Sequence, residues 1–534
     1  MSDSSDTPND RYDVIVVGSG GGLIGAYIAA SRGLRTLVIE KTEFVGGTTA
    51  YSGAGIWLPG NAAERRGGMD LLPEFARTYL DAIVGDDAPA YLREAYLNAG
   101  PRLIDELEQN PRFQWFNYYG VPDYFAGLPG SHAQGHTIFP PHIPNAELGD
   151  RASLIRKPVW TERWGVDPGD VMIGGRALIA RALLAFLETG NGTVLTNTAL
   201  DSLVVEDGAV VGVEVVAAGF RVKIRADRGV LLAAGGFERN AELRRKYQPQ
   251  VISDAWTMGC PGNTGAALEA GIAVGAATDL LDESWYVPGL VVPNNRPVFW
   301  TSVWRGIYVN GAGERFMNEN LPYDQAGHTI LAQHTGTDIP HIPTHFVFDH
   351  RQVVDEGWQL PVGPDVPGWF DADEWLRAGV LKRADTLSEL AELIGVPAGA
   401  LKKTVDEFNG FARDGVDRQF HRGETPWDRY IVSSVGAFAG LRPHEYGPNP
   451  CLAPLNQPPY YAAEIVVSDL GTKGGLKTDD RSRVIRPDNS VIKGLYAAGN
   501  TMAPMTGRVY PGAGAPIGSS ILFSYLAATD MAGA

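Results

Sequence analysis

Three stretches of this sequence predict an α/β protein with a Rossmann-like domain that is discontinuous along the chain and an α+β domain inserted into it. Residues 12–17 (Tyr-Asp-Val-Ile-Val-Val) are a nearly continuous β-branched run, the pattern of a parallel strand covered on both faces. A glycine loop, Gly18-Ser-Gly-Gly-Gly22, follows at once, then a helical stretch at 23–32 and a second strand at 35–39 that ends on Glu40. Far downstream, 230–237 and 494–500 are again short apolar strands running into glycine. The first and last parts of the chain therefore build one domain, 1–281 with 462–534, and 282–461 is the insertion.

The opening βαβ unit has a physical purpose. Its glycines let the backbone approach a pyrophosphate at a helix N-terminus, where N–H groups and the helix dipole favour negative charge. Glu40 lies 22 residues after Gly18, placed to accept a hydrogen bond from a ribose hydroxyl. Gly18, Gly20, Gly21, Gly22, Glu40 and Lys41 are the expected nucleotide contacts. In strict G-x-G-x-x-G register the third slot is Leu23, so Gly22 or Gly25 must supply the close packing of helix on strand.

The next run, 45–59, is too glycine-rich for a simple connection. It suits close passage beneath a large planar cofactor, with Gly46, Gly47 and Gly53 giving approach and Thr48, Thr49 and Ser52 as hydrogen-bond donors. An amphipathic helix is expected at 174–187, and strands at 192–198 and 199–216 turn about Asp207-Gly208. Ala234 and Gly235 end the next strand, Gly265 precedes an apolar helix at 266–274, and Gly499 with Asn500 ends the last strand.

Within the insertion, Thr386-x-x-Glu389 is a capping box opening a helix to 394, and Leu401, Val405 and Phe408 have helical spacing. Five histidines from His328 to His350 are irregularly spaced, and Pro343 interrupts the helical pair His341 and His345, so no metal site is expected.

Composition narrows the function classes. A net charge of −17 and a sequence pI near 5.1 argue against nucleic acid and against attraction to acidic membranes. Cys260 and Cys451 are far apart and lack metal-ligand spacing, so a reducing cytoplasm is expected. Residues 1–10 are acidic and polar, a disordered lead-in with no signal-peptide pattern. Residues 509–529 carry no charged side chain, yet their prolines and glycines leave an apolar helix of about 12 residues at 517–528, against the about 20 that span a bilayer. A buried helix is expected there; loose attachment to the inner face of the membrane stays open.

Ahead of that helix stands Gly507-Arg-Val-Tyr-Pro-Gly-Ala-Gly514. A phenol O–H at Tyr510 and a bare peptide N–H at Gly514, aimed at one point, would polarise a carbonyl oxygen. In the insertion, Glu314-Arg-Phe-Met-Asn-Glu-Asn-Leu-Pro-Tyr-Asp324 presents a second phenol, Tyr323, and residues 115–125 hold Tyr118, Tyr119 and Tyr124.

The order of these motifs resembles flavoproteins of the succinate dehydrogenase and fumarate reductase superfamily, which implies FAD, faced by Ala234, Gly235, Gly265, Gly499 and Asn500. Members with covalent flavin carry a histidine in the region of 41–60; none occurs here, and non-covalent FAD is the expectation. Residues 314–324 resemble the fumarate reductase segment Glu-Arg-Phe-Val-Asn-Glu followed by Arg-Asp, with Tyr323 in the place of the catalytic arginine. With Tyr510 four residues before Gly514 and Pro122-Asp-Tyr124 upstream, nearly the whole chain resembles the 3-ketosteroid Δ1-dehydrogenases. That resemblance implies a 3-ketosteroid substrate, a double bond introduced between C1 and C2, and an electron acceptor that the sequence does not identify. It assigns Tyr510 and Gly514 to the C3 ketone, Tyr323 to the C2 proton and Tyr124 to the assistance of Tyr323, with the C1 hydride going to flavin N5. Tyr118 and Tyr119 compete for the assisting role. Desaturation at C4 and C5, a fumarate-reductase-like ene reductase and a non-catalytic flavin sensor are the alternatives.

Overall fold

The β-branched run forms the strand Arg11–Val17 at the centre of the larger sheet, where Val14, Ile15 and Val16 are fully buried. In this computed structural model, residues 11–69, 73–293, 296–301, 305–351, 372–435 and 447–533 are described. The lead-in expected at 1–10 lies outside them. Across the sheet the strands run Arg483–Ile485, Val491–Ala497, Phe220–Leu232, Arg11–Val17, Thr36–Ile39 and Gly192–Leu195, all parallel except the first. The last strand of the chain thus pairs beside the early ones, which makes the sheet discontinuous in sequence.

Phe220–Leu232 has two partners along its length. Its first half pairs antiparallel with Ala209–Ala217, which itself pairs with Thr198–Glu206, and its second half pairs parallel with Arg11–Val17. The turn between the two hairpin strands is Asp207-Gly208, as the sequence predicts.

Helix Gly22–Ser31 is buried at every position but Ser31, because it packs between Gly174–Glu188 and Ala515–Ala532. Two expectations need correction here. Gly174–Glu188 is not amphipathic in its surroundings: everything from Gly175 to Phe186 is buried, Arg181 included, whose guanidinium donates to the carbonyls of Pro141, His142 and Arg112. A buried arginine satisfied by carbonyls looks polar in sequence and behaves as core. The C-terminal helix is 18 residues, Ala515–Ala532, longer than the 12 expected. Pro516 sits in its first turn, where no N–H is needed, and the helix runs on to a left-handed Gly533. No helix of the described residues is long and apolar enough to cross a membrane.

A second sheet is antiparallel throughout, in the order Pro297–Phe299, Ser284–Val291, Tyr460–Thr472, Thr344–Asp349, Ile307–Val309, with Leu381–Ala384 also on Tyr460–Thr472. Helix Tyr323–Gly336 packs closely on Ser284–Val291, since a Cβ at Gly327 would lie 2.7 Å from the Tyr286 backbone. Helices Leu387–Ile394 and Ala398–Asp414 cover a further core containing Leu390, Leu401, Val405 and Phe408, and both hydrogen bonds of the Thr386–Glu389 capping box are made. Tyr460–Thr472 leads back toward the larger sheet, where the Thr472 hydroxyl accepts from the Phe237 N–H at 2.9 Å.

Candidate active site

A cavity of about 1120 Å³ is lined by the glycine-ended strands of the larger sheet and by residues at the near end of the second sheet. At the glycine loop the backbone is bare for steric reasons. Gly18 has φ +100, and a Cβ there would lie 2.4 Å from the Ala233 carbonyl oxygen; at Gly21 it would lie 2.1 Å from Ser520 Oγ. Gly18, Ser19, Gly20 and Gly21 line the cavity just ahead of the N-terminus of Gly22–Ser31, a site suited to pyrophosphate.

The third-glycine question resolves into two separate contacts. At Gly22 a Cβ would lie 2.9 Å from Ala233 Cβ and 3.0 Å from Val16 Cγ1, so Gly22 supplies the packing of helix on strand. At Gly25 it would lie 2.7 Å from the Ser524 carbonyl oxygen, so Gly25 admits the C-terminal helix. Gly22 does not line the cavity, and neither does Gly46, whose neighbours are Ala50 and Ile179. Both are expected as cofactor contacts from the sequence, and both are also held close by neighbouring side chains.

Glu40 lines the cavity with its carboxylate already oriented. Oε2 accepts from the Ser19 hydroxyl at 2.6 Å, and Oε1 accepts from the N–H and hydroxyl of Thr42 at 2.9 and 2.8 Å. Oε2 keeps acceptor capacity for a ribose hydroxyl. Lys41 also lines the cavity and donates to Thr264 Oγ1 at 2.7 Å.

Gly47, Thr48, Thr49, Ser52 and Gly53 follow along the wall. Thr48 Oγ1 accepts from the Cys260 N–H at 2.9 Å and from Asn263 Nδ2 at 3.0 Å, which leaves its own hydrogen to donate. Ser52 differs from expectation: its hydroxyl donates to the Thr49 carbonyl at 2.7 Å and so presents an acceptor. Ala234, Gly235, Gly265, Gly499 and Asn500 complete this end.

At the other end the tyrosines meet. Tyr323 opens helix Tyr323–Gly336, and Tyr510 precedes the glycine turn. The Tyr323 hydroxyl donates to Tyr510 Oη at 3.1 Å, and the Gly514 N–H donates to the same oxygen at 3.3 Å. With both lone pairs so occupied, the Tyr510 hydrogen is left for an acceptor in the cavity. Tyr323, Tyr510 and Gly514 all line that cavity.

Neighbours hold the glycine turn tightly. The Pro511 carbonyl accepts from the Tyr124 N–H at 3.0 Å and from the Tyr79 hydroxyl at 2.6 Å, and Asp123 bridges to Gly512. Gly514 has φ +90, and a Cβ there would lie 2.0 Å from the Gly55 carbonyl. The requirement for glycine at 514 therefore comes from the Gly55 backbone behind the turn, in addition to any need for open space toward a ketone.

Among the three upstream tyrosines, Tyr124 stands beside the pair, its ring 5.4 Å from that of Tyr323 and 5.3 Å from that of Tyr510. Its hydroxyl is buried behind the cavity wall and interacts with the Tyr323 hydroxyl, short of a well-formed hydrogen bond among the described residues. Tyr118 gives its hydroxyl to the Gln134 carbonyl at 2.8 Å, and Tyr119 is exposed against Phe139. Burial pushes Tyr323, Tyr510 and Tyr124 well above the usual phenol range, and each is pushed further by a neighbouring phenolate charge.

Further aromatics frame the tyrosines. Phe299 stands edge-on to Tyr323 at 5.1 Å, Trp285 edge-on to Tyr510 at 5.1 Å, and Trp427 edge-on to Tyr124 at 4.6 Å. An isolated aromatic in a strand or short helix carries no motif, so none of these three stands out in the sequence. The five histidines are not on the cavity wall, and among the described residues no group of three or more His, Cys, Asp or Glu is arranged for a metal.

Known proteins match over nearly the full chain. The FAD binding domain family matches residues 13–517. The 3-oxosteroid 1-dehydrogenase of Mycolicibacterium smegmatis is 38% identical, with 98% of this chain and 97% of that protein covered. The 3-oxosteroid 1-dehydrogenase of Rhodococcus opacus is 37% identical, covering 97% and 98%. Among solved structures, the 3-ketosteroid delta1-dehydrogenase of Sterolibacterium denitrificans, in complex with 1,4-androstadiene-3,17-dione, is 34% identical with a TM-score of 0.88, covering 98% of this chain and 100% of that one.

Proposed function

Since the chain belongs to the FAD-binding 3-oxosteroid 1-dehydrogenase family, we propose that its cavity desaturates the C1–C2 bond of a 3-ketosteroid through the three groups that converge on Tyr510 Oη. The observation that carries this reading is that convergence: two phenols and one peptide N–H meet at one point on the wall of a glycine-lined cavity.

A hydrogen beside a ketone is acidic only if the developing enolate is stabilised. The Tyr510 hydroxyl donates to the C3 oxygen, and the Gly514 N–H either supports that phenol or turns its own hydrogen to the same oxygen. Tyr323, within hydrogen-bond reach of Tyr510, takes the C2 proton. Tyr124 packs against both rings and positions Tyr323.

The residues on the wall fit FAD: the bare loop Gly18 to Gly21 suits the pyrophosphate, Glu40 the ribose, and Gly47, Thr48, Thr49, Gly53, Gly235, Gly499 and Asn500 the remainder. When bound, FAD supplies the acceptor for the C1 hydride. Turnover also needs an external electron acceptor. The second sheet and its helices, 282–461, act as the catalytic insertion, which supplies the base, while the segments on either side supply the ketone clamp and the nucleotide site.

The test is an anaerobic titration with 3-ketosteroids and no other acceptor. Flavin absorbance should bleach in proportion to steroid, and the product should carry a C1–C2 double bond by NMR. Unchanged absorbance across a panel of 3-ketosteroids would overturn the assignment, and a C4–C5 double bond would move the chemistry to the other side of the ketone.

A further inference from the structure

Behind the ketone clamp lies a fully buried cation that the mechanism above does not use. Lys473 has no exposed side-chain surface. Its ammonium donates to the Val509 carbonyl at 3.0 Å, the residue directly before Tyr510, and sits 4.3 Å over the ring of Trp285. Trp285 in turn stands edge-on to Tyr510 at 5.1 Å and donates its indole N–H to Asn500 on the cavity wall at 3.0 Å. One ammonium thus touches both supports of the Tyr510 ring.

The groups facing Lys473 come from several elements. Burial holds the Lys473 ammonium below the usual lysine range; against that, Asp324, next to Tyr323 on its helix, and Glu283, ahead of the strand Ser284–Val291, act on it as anions, with Asp87 contributing from the larger domain and Arg508 opposing. His328 bonds Glu283 at 2.9 Å, and Arg508 pairs with Glu283 and Asp282 at 3.1 and 2.9 Å. Much of the nearby negative charge is therefore neutralised by other partners, while Lys473 makes its hydrogen bond to a backbone carbonyl. Burying an ammonium is costly, and a methionine would fill comparable space without that cost.

We propose that Lys473 is a positioning and electrostatic residue of the desaturation site: it holds the Val509–Tyr510 segment and Trp285 in place, and its charge favours the negative charge that develops on the phenol and ketone oxygens. This rests on the dehydrogenase reading above. The ring spacings put the ammonium within roughly 10 Å of the Tyr510 ring centre, where a unit charge at an effective dielectric near 20 changes an ionisation equilibrium by on the order of tenfold.

The experiment compares the anaerobic flavin-bleaching rate against pH in the FAD-loaded wild type, Lys473→Gln and Lys473→Arg. Glutamine keeps a donor for the Val509 carbonyl and removes the charge; arginine keeps the charge. In Lys473→Gln the acid limb of the pH profile should move alkaline by about one pH unit, and the rate on that limb should fall about tenfold. Lys473→Arg should restore the wild-type limb at least in part. An unmoved limb in Lys473→Gln overturns the proposal, as does an equal shift in both variants. Should Lys473→Gln fail to hold FAD, Lys473→Met takes its place in the comparison, and loss of FAD from both neutral variants alone overturns the electrostatic role in favour of a purely structural one. The wild type separates the two levels: if it does not bleach, the dehydrogenase reading fails; if it bleaches and the variants track it at every pH, only the inference about Lys473 fails.

Discussion

Tyr323 and Tyr510 are 187 residues apart in the chain, and their hydroxyls lie 3.1 Å apart. One opens a helix that packs on the antiparallel sheet, and the other precedes the glycine turn that opens the C-terminal helix. Removing either hydroxyl should therefore disturb chemistry with little effect on the nucleotide site. Tyr323→Phe and Tyr510→Phe should each lower kcat by about 10²- to 10⁴-fold, with FAD content unchanged by absorbance. Solvent deuterium exchange at C2 should be lost with Tyr323→Phe; exchange that survives would assign the base elsewhere.

Burial holds the Tyr323 phenol well above its usual range. A base must be deprotonated to act, so a raised pKa means that the active fraction grows with pH. The bleaching rate should rise by up to about tenfold per pH unit through neutral and mildly alkaline pH. A flat profile over that window would show that proton removal by Tyr323 does not limit the reaction.

The Tyr124 hydroxyl is buried and makes no well-formed hydrogen bond among the described residues, its one polar interaction being with the Tyr323 hydroxyl. Its removal should cost no stability and could add about 1 kcal/mol by sparing a desolvated group. Tyr124→Phe is thus expected to melt at or above the wild-type temperature, and a fall in its kcat would assign the assistance of Tyr323 to the hydroxyl, whereas an unchanged kcat would assign it to ring packing. Tyr118→Phe is the control, since that hydroxyl is engaged by the Gln134 carbonyl; its kcat should stay at the wild-type value.

Gly514→Ala should fail for a backbone reason. With φ +90 and the Gly55 carbonyl 2.0 Å from the would-be Cβ, the turn must move. A loss of at least about 2 kcal/mol is expected, read as a lower melting temperature together with loss of turnover. A variant as stable and active as wild type would mean that the turn can shift without cost.

Glu238, buried beneath the cavity wall and bonded by Asn263 Nδ2 at 2.5 Å, has its carboxyl pushed up to about 7 by burial and by the Asp469 charge. A carboxyl raised above its unfolded value binds its proton more tightly when folded. Its contribution is fully present below about pH 4.5 and is lost as pH rises through about 7. Glu238→Gln should flatten the decline in stability between those values, an effect of the order of 3 kcal/mol. Denaturant melts at acid and alkaline pH measure it; parallel curves for both proteins would contradict it.

The local patterns were legible because they depend on near neighbours. The strand Arg11–Val17, the glycine loop, Glu40 and the Thr386 capping box each follow from a few adjacent residues, and each forms where those residues predict. Helix limits were less legible. Gly174–Glu188 reads as amphipathic because Arg176 and Arg181 are polar in sequence, yet at Arg181 distant carbonyls satisfy the guanidinium and make it core.

What the sequence by itself determined was the nucleotide-binding unit and the identity of the phenols and glycines available for chemistry, since these depend on short-range periodicity and on motifs. Only the tertiary structure decided how they are used. It divided the packing duties of Gly22 and Gly25, put Tyr124 and not Tyr118 or Tyr119 beside Tyr323, and set Lys473 behind Trp285 and Tyr510. Those relationships join residues from distant parts of the chain through packing and buried charge, and such contacts have no period or spacing in the sequence from which they could be read.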